Sequence, residues 1–260
     1  MNLLLSFVLS NAHAKCEGYV RKASSASGKR VIQALKNTHA CDPIVAKDNF
    51  FEFMKRANDL ETLSSLSLTA LELDPILWEA VGRIPGKISD YSMRDALTKN
   101  LGAKCSEVES LRKFLKASYV TMGDNDFGRW DDAYIDCRDK EIEDWLVGIV
   151  EKPPQKSFND KYNTMLSILV KKKAVEALPH LEIAAIAAAE NGPYGDILRA
   201  TEETVATDFG GDISPENKKA LEDTLLAIAQ KVDTQKAKDV AFQLASSGSE
   251  DKAAQLLPTI

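Results

Sequence analysis

Histidine is scarce. The chain has three, and only His39 and His180 lie beyond its first 14 residues. Neither has a second histidine or cysteine at ligand spacing, so each reads as a helix-end or interface residue rather than a metal ligand or base. No C-x-x-C pair occurs, which sets aside zinc ribbons and thioredoxin-like redox centres. No G-x-S-x-G, H-E-x-x-H or G-x-G-x-x-G occurs either. The segment Gly82-Arg83-Ile84-Pro85-Gly86-Lys87 is one residue short between its glycines for a phosphate loop, and Ile88 stands where Ser or Thr should follow. No motif calls for a cofactor. Positive charge is not in excess: the formal net charge is −6. A large nucleic-acid footprint needs clustered Lys and Arg, and so does attraction to anionic membranes, so neither partner is expected. Beyond residue 14, no apolar run is long enough to span a bilayer.

What is present starts with residues 1–14, MNLLLSFVLSNAHA, an apolar stretch ending in Ala12-His13-Ala14. That ending is an A-x-A cleavage pattern, and we expect a signal peptide with Lys15 at the mature N-terminus. The competing reading is a short first helix buried in the core. A lysine before Cys16 does not fit a lipoprotein signal, so no lipid anchor is expected. Four cysteines remain: Cys16, Cys41, Cys105 and Cys137. In an exported chain an even count reads as two disulfides. The local pairing, Cys16 with Cys41 and Cys105 with Cys137, closes loops of about 25 and 32 residues, each worth roughly 3.5 kcal/mol in the chain-entropy model. In a cytosolic chain the same four would be buried free thiols. Export implies a periplasmic or secreted location.

With 44% hydrophobic and 28% charged residues the composition is that of a soluble globular chain, and 260 residues suffice for a substantial core. Helical spacing dominates it. In residues 213–232, Ser214 can cap and Pro215 suits a first helical turn. Leu221, Leu225, Ile228 and Val232 then share one face. Ala237, Val240, Ala241 and Leu244 repeat the pattern, as do Ala253, Leu256, Leu257 and Ile260. Upstream, Asp59, Asp74-Pro75, Ser89 or Asp90, Ser106 and Asp139 are expected helix starts. Pro85-Gly86 is an expected stop, the polar run 123–128 (GDNDFG) an expected loop, and Pro179 an expected split or kink. Residues 171–173 (KKK) read as a solvated cluster at a helix C-terminus. The fold class is therefore all-α: about a dozen short antiparallel helices in a single domain over 15–260, with a possible seam at 152–157 where two prolines interrupt.

The paired starts and stripes from Asp74-Pro75 to Leu101, from Val175-Glu176-Ala177-Leu178-Pro179 to Ala189, and in residues 253–260 resemble HEAT-like α-helical repeats, an α-solenoid. That resemblance implies a non-catalytic scaffold presenting a concave surface to a protein or other macromolecular partner. An irregular closed helical bundle has nearly the same periodicity. Its counterpart in function is a helical carrier of an apolar small ligand.

One acidic segment stands apart. Asp124, Asp126, Asp131, Asp132 and Asp136 fall within a short span. Asp124 and Asp126 with Gly128 look like the start of a calcium loop, but the glycine is displaced and the twelfth position is Ile135 rather than glutamate. These aspartates read as helix-flanking surface charges, with Asp124 and Asp126 as candidate calcium ligands, or as an unrecognised enzymatic site. Trp78, Trp130 and Trp145 all sit on apolar stripes and read as core; a ring exposed on a concave face would instead point to a partner.

Overall fold

A computed structural model describes residues 16, 18–20, 27–57, 59–152, 160–172, 174–191, 194–195, 197–198, 215–246 and 250–256. Among them are sixteen α-helices and two 3-10 turns, and no strand. The expected signal segment and Ser214 lie outside the described residues, as does all of the 152–157 seam except Lys152. The chain divides into two compact units, Met1–Ile142 and Glu143–Ile260.

The first unit contains α1 (Lys29–Cys41), α2 (Pro43–Asp48), α3 (Phe50–Met54), α4 (Leu60–Leu73), α5 (Trp78–Gly82), α6 (Ile84–Lys87), α7 (Tyr91–Ala103), α8 (Glu109–Thr121), α9 (Asp124–Phe127) and α10 (Asp131–Asp136). At its centre is α4, which packs against α1, α7 and α8. Its sequence explains why it can be enclosed. Leu63, Leu66, Ala70 and Leu71 are buried together with Thr62, Ser64, Ser67 and Thr69, so apolar or small side chains cover most of its circumference. Ser67 Oγ donates to Leu63 O at 2.8 Å, which satisfies a hydroxyl that has no water to turn to.

Local chemistry sets the helix starts. Asp42, Asp59, Asp74 and Asp90 each accept a backbone N–H in the following turn, from Ile44, Thr62, Ile76 and Met93. Where the expected boundaries move, the reason is visible. Pro85 does not stop a helix; it lies in the first turn of α6, where its missing N–H has no intrahelical partner. Arg83 takes the break instead. Ser106 does not open α8: residues 104–107 form a turn, and Val108 precedes the first helical residue. The GDNDFG run is not a loop but the helix α9, anchored by the buried ring of Phe127.

Two cysteine pairs stand at disulfide distance in the expected pairing, Cys16 with Cys41 (Cα–Cα 5.6 Å) and Cys105 with Cys137 (5.2 Å). The second pair is fully buried and follows the close contact of α7 with α10. There Gly102 faces the backbone of Ala133. Arg112 spans the same junction. Its Nη1 donates to Cys105 O at 2.8 Å and Ser106 O at 3.0 Å, and its guanidinium lies 3.6 Å from Asp139 and from Glu141.

The second unit holds most of α11 (Lys140–Val150), then α12 (Asp160–Lys172), α13 (Ala174–Asn191), α14 (Pro215–Lys231), α15 (Thr234–Ser246) and α16 (Glu250–Leu256). Asp139 caps α11 through the N–H groups of Glu141 and Ile142. From α12 onward each helix packs on the next. The expected inward face of α14 is the observed one: Leu221, Leu225 and Ile228 are buried. Pro179 does not split α13, which runs unbroken for 18 residues with the proline inside it. The lysine run is not wholly solvated. The Lys172 side chain is 1% exposed and lies 3.8 Å from Glu143, because burial of an ammonium requires a countercharge. Lys252 likewise bridges Glu222 and Asp223, at 2.9 Å from each, and ties α16 to α14.

These carboxylates set the acid limb of stability. Hydrogen bonds from the Thr62 backbone and hydroxyl hold Asp59 below the usual carboxylate range. The Ile76 N–H does the same for Asp74, assisted by His39. A carboxyl depressed in the folded state stabilises above its unfolded value, and that contribution disappears as pH falls through the folded one. The thermal midpoint should therefore be level above about pH 5 and fall progressively below about pH 4. Asp59→Asn should make that fall shallower, as melting curves taken across the range would show. Asp132 works in the opposite sense. Its carboxyl is pushed up by burial and then by Asp131, so its protonation relieves strain instead of removing a bond.

Candidate functional site

A cleft of about 390 Å³ opens in the first unit between the segment 75–83, which includes α5, the C-terminal half of α8 and the start of α9. It lies at the lower end of the size range of ligand pockets, about 300–1,000 Å³. The turn comes first. Asp74 closes α4 and caps the next turn, with Pro75 at its first position. This double role reverses the chain tightly enough for Trp78 Nε1 to donate back to Leu71 O at 3.2 Å. His39 Nε2 lies 3.3 Å from Asp74 and steadies the reversal from α1.

The floor is aromatic. Phe114, 1% exposed, stands between two tryptophans, both edge-on to it: Trp78 at 6.3 Å and Trp130 at 4.9 Å between ring centroids. Edge-to-face pairing of this kind adds to simple area burial. Trp130 is fully buried, and its Nε1 donates to Gly82 O at 2.9 Å. Gly82 faces the methyl end of the Met122 side chain, which also lines the cleft.

The polar groups around this floor are mostly engaged. Ser118 Oγ donates to Leu115 O at 2.7 Å and shares a 2.6 Å hydrogen bond with the Tyr134 hydroxyl. Burial pushes the Tyr134 phenol well above its ordinary value, so it stays protonated. This pair clasps α8 to α10, with the Tyr134 hydroxyl also donating to Leu115 O at 2.6 Å. Thr121 Oγ1 donates to Ala117 O. At the rim, Glu79 accepts from Lys47 at 2.8 Å through one carboxylate oxygen and from Arg83 at 2.7 Å through the other. Lys47 and then Arg83 hold that carboxyl below the usual range. Asp126 also lines the rim, and Arg129 approaches it no closer than 3.6 Å.

The acidic segment is thus divided by the fold. Asp126 belongs to the cleft, while Asp124 is exposed at the start of α9. Asp131, Asp132 and Asp136 lie on α10 against α7, where Asp95 and Lys99 act on Asp132. No group of three or more His, Cys, Asp or Glu side chains arranged to hold a metal ion is found among the described residues. The calcium reading of Asp124 and Asp126 therefore gains no third ligand. His180, on α13, is half-buried with Nδ1 lacking a hydrogen-bond partner.

Of the three tryptophans, Trp130 is core, as expected. Trp78 is half-buried and lines the cleft. Its periodicity places it on an apolar stripe, but only the reversal at Asp74-Pro75 decides that the stripe ends at an opening. Met122, Phe114 and Glu79 carry no motif that could have marked them. No described helix is long and apolar enough to cross a membrane. No family model, no curated protein and no solved structure matches the chain.

Proposed function

We propose that the chain is a non-catalytic binding module that receives side chains of a partner protein in the Trp78–Phe114 cleft. The observation that carries this reading is the half-buried indole of Trp78 lining the cleft over a buried aromatic floor. Pockets of this kind accept the aromatic or aliphatic anchors that dominate binding energy at protein interfaces. The engaged hydroxyls and the ion-paired Glu79 support recognition over bond-making chemistry. Carriage of a wholly apolar ligand is less well supported, because half of the lining is polar or charged. The test is photo-crosslinking from a benzoylphenylalanine placed at Thr121, in the extract of the compartment that holds the protein. Labelled proteins that disappear when Ala117→Arg fills the cleft support the reading; labelling indifferent to that change overturns it.

We further propose that the protein is exported and that its helices belong to a HEAT-like array. The disulfide pairs are compatible with an oxidising location. The sequential packing of α12 to α16 is what such an array requires. Small-angle scattering from an elongated, curved particle supports the array, and a compact globule overturns it.

A further inference from the structure

We infer that the partner side chain received by the cleft is a glycosylated one, carrying a neutral sugar ring, an inference that rests on the protein-binding reading above. The rim of the cleft holds both signs of charge, and each charge already has its opposite. Arg83 lies 2.7 Å from Glu79, whose other carboxylate oxygen meets Lys47 at 2.8 Å. Asp126 is paired with Arg129 at 3.6 Å. A charged ligand of either sign therefore meets its like as readily as its opposite, and the rim favours no net charge. Capacity for neutral hydrogen bonds is what remains. The Arg83 side chain is 55% exposed, and a guanidinium has five N–H donors, more than its contact with Glu79 uses. The oxygens of Glu79 and Asp126 keep further lone pairs, as does Thr121 Oγ1, which donates to Ala117 O.

Spare donors and spare acceptors thus surround an apolar floor of Trp78, Phe114 and Met122. Trp78 gives its one N–H to Leu71 O, so its indole offers a ligand surface and no donor. A pyranose ring matches both parts. Its C–H groups form an apolar face that lies on an aromatic ring, whose face carries the complementary partial charge. Its hydroxyls project around the edge, and each one donates and accepts through a single rotatable oxygen. A backbone amide divides those roles between two fixed groups, and a hydrocarbon has neither. The ion pairs hold the rim side chains in place before a ligand arrives, which lowers the ordering cost of a weak, many-bonded contact. At about 390 Å³ the cleft suits a compact ring better than a length of extended chain.

The test has two arms. In the first, the methyl glycosides of glucose, galactose, mannose, fucose, N-acetylglucosamine and N-acetylgalactosamine are titrated against the full-length protein by saturation-transfer NMR. At least one should bind, with little dependence on salt because no ion pair is formed. Asp126→Ala should weaken that binding about tenfold, the loss of a hydrogen bond to a charged acceptor. Binding should also change the tryptophan fluorescence, and Trp78→Phe, which keeps a ring in the cleft, should abolish that change. In the second arm, crosslinking from position 121 is repeated on extract treated with enzymes that remove N- and O-linked sugars, and the labelling should be lost. Failure of every glycoside to bind, binding indifferent to both Asp126→Ala and Trp78→Phe, or labelling unchanged by removal of the sugars overturns this inference and leaves the protein-binding reading standing. Labelling indifferent to Ala117→Arg overturns both.

Discussion

Trp130→Ala should destabilise the first unit by about 3–5 kcal/mol, the range for removing a buried aromatic side chain. Three losses coincide. The side chain is fully buried, so its whole apolar surface leaves the core. Its edge-to-face contact with Phe114 at 4.9 Å disappears, and with it the support beneath the cleft floor. Its hydrogen bond to Gly82 O at 2.9 Å is lost, leaving a carbonyl at the end of α5 without its partner. Trp130→Phe separates these terms, because it keeps a ring but not the donor; it should cost less than half as much. Urea unfolding followed by circular dichroism would measure both. If Trp130→Ala lowers the midpoint no further than Trp130→Phe, then the hydrogen bond, and not the packing, dominates at this site.

Gly102→Val should be the second severe change. A Cβ built at Gly102 would lie 2.6 Å from the Ala133 carbonyl oxygen and 2.9 Å from its Cα. Both are backbone atoms, which cannot rotate away as a side chain does. The helices α7 and α10 would have to part, although Cys105 and Cys137 hold their ends together. Overpacking of this kind typically costs about 1–3 kcal/mol, and here the bridge blocks the relaxation that would lower it, so the upper end is expected. Gly148 makes the control. It is helical in α11, and a Cβ there would meet nothing within 4 Å. Gly148→Ala should raise stability by about 0.5–1 kcal/mol through helix propensity alone. Opposite shifts in the thermal midpoints of two glycine variants would assign the first to the contact with Ala133. A Gly102→Val protein that melts with the parent would mean that α7 and α10 are not held at this distance.

Much of the fold could be read from local chemistry. Aspartates at 59, 74, 90 and 139 and the proline at 215 mark helix starts because capping and first-turn geometry depend on immediate neighbours. The buried face of α14 followed from spacing alone, since Leu221, Leu225 and Ile228 must point the same way on any helix. Where helices shrink to four or five residues, as at α5, α6 and α9, a periodic pattern has too few positions to be recognised. Phe127 shows the consequence: one ring inside a polar run is enough to anchor a helical turn, but no spacing announces it. The cleft was harder still. Trp78, Phe114 and Met122 come from three segments, and only the fold brings them together. Asp126 reads in the sequence as one member of an acidic run, whereas its distinguishing property is its place on the cleft rim, which composition does not reveal.

The burial of Cys105 and Cys137 imposes an order on maturation. Neither sulfur is reachable once α7 has closed on α10. An oxidant, or an isomerase correcting a wrong pairing, can act on this pair only while the contact is open. The bond must then precede the final docking of these helices, and a chain that docked them while reduced would shut its own thiols away from repair. The other bridge is half enclosed in the same way: Cys16 is 1% exposed, while Cys41 stays half-buried at the end of α1.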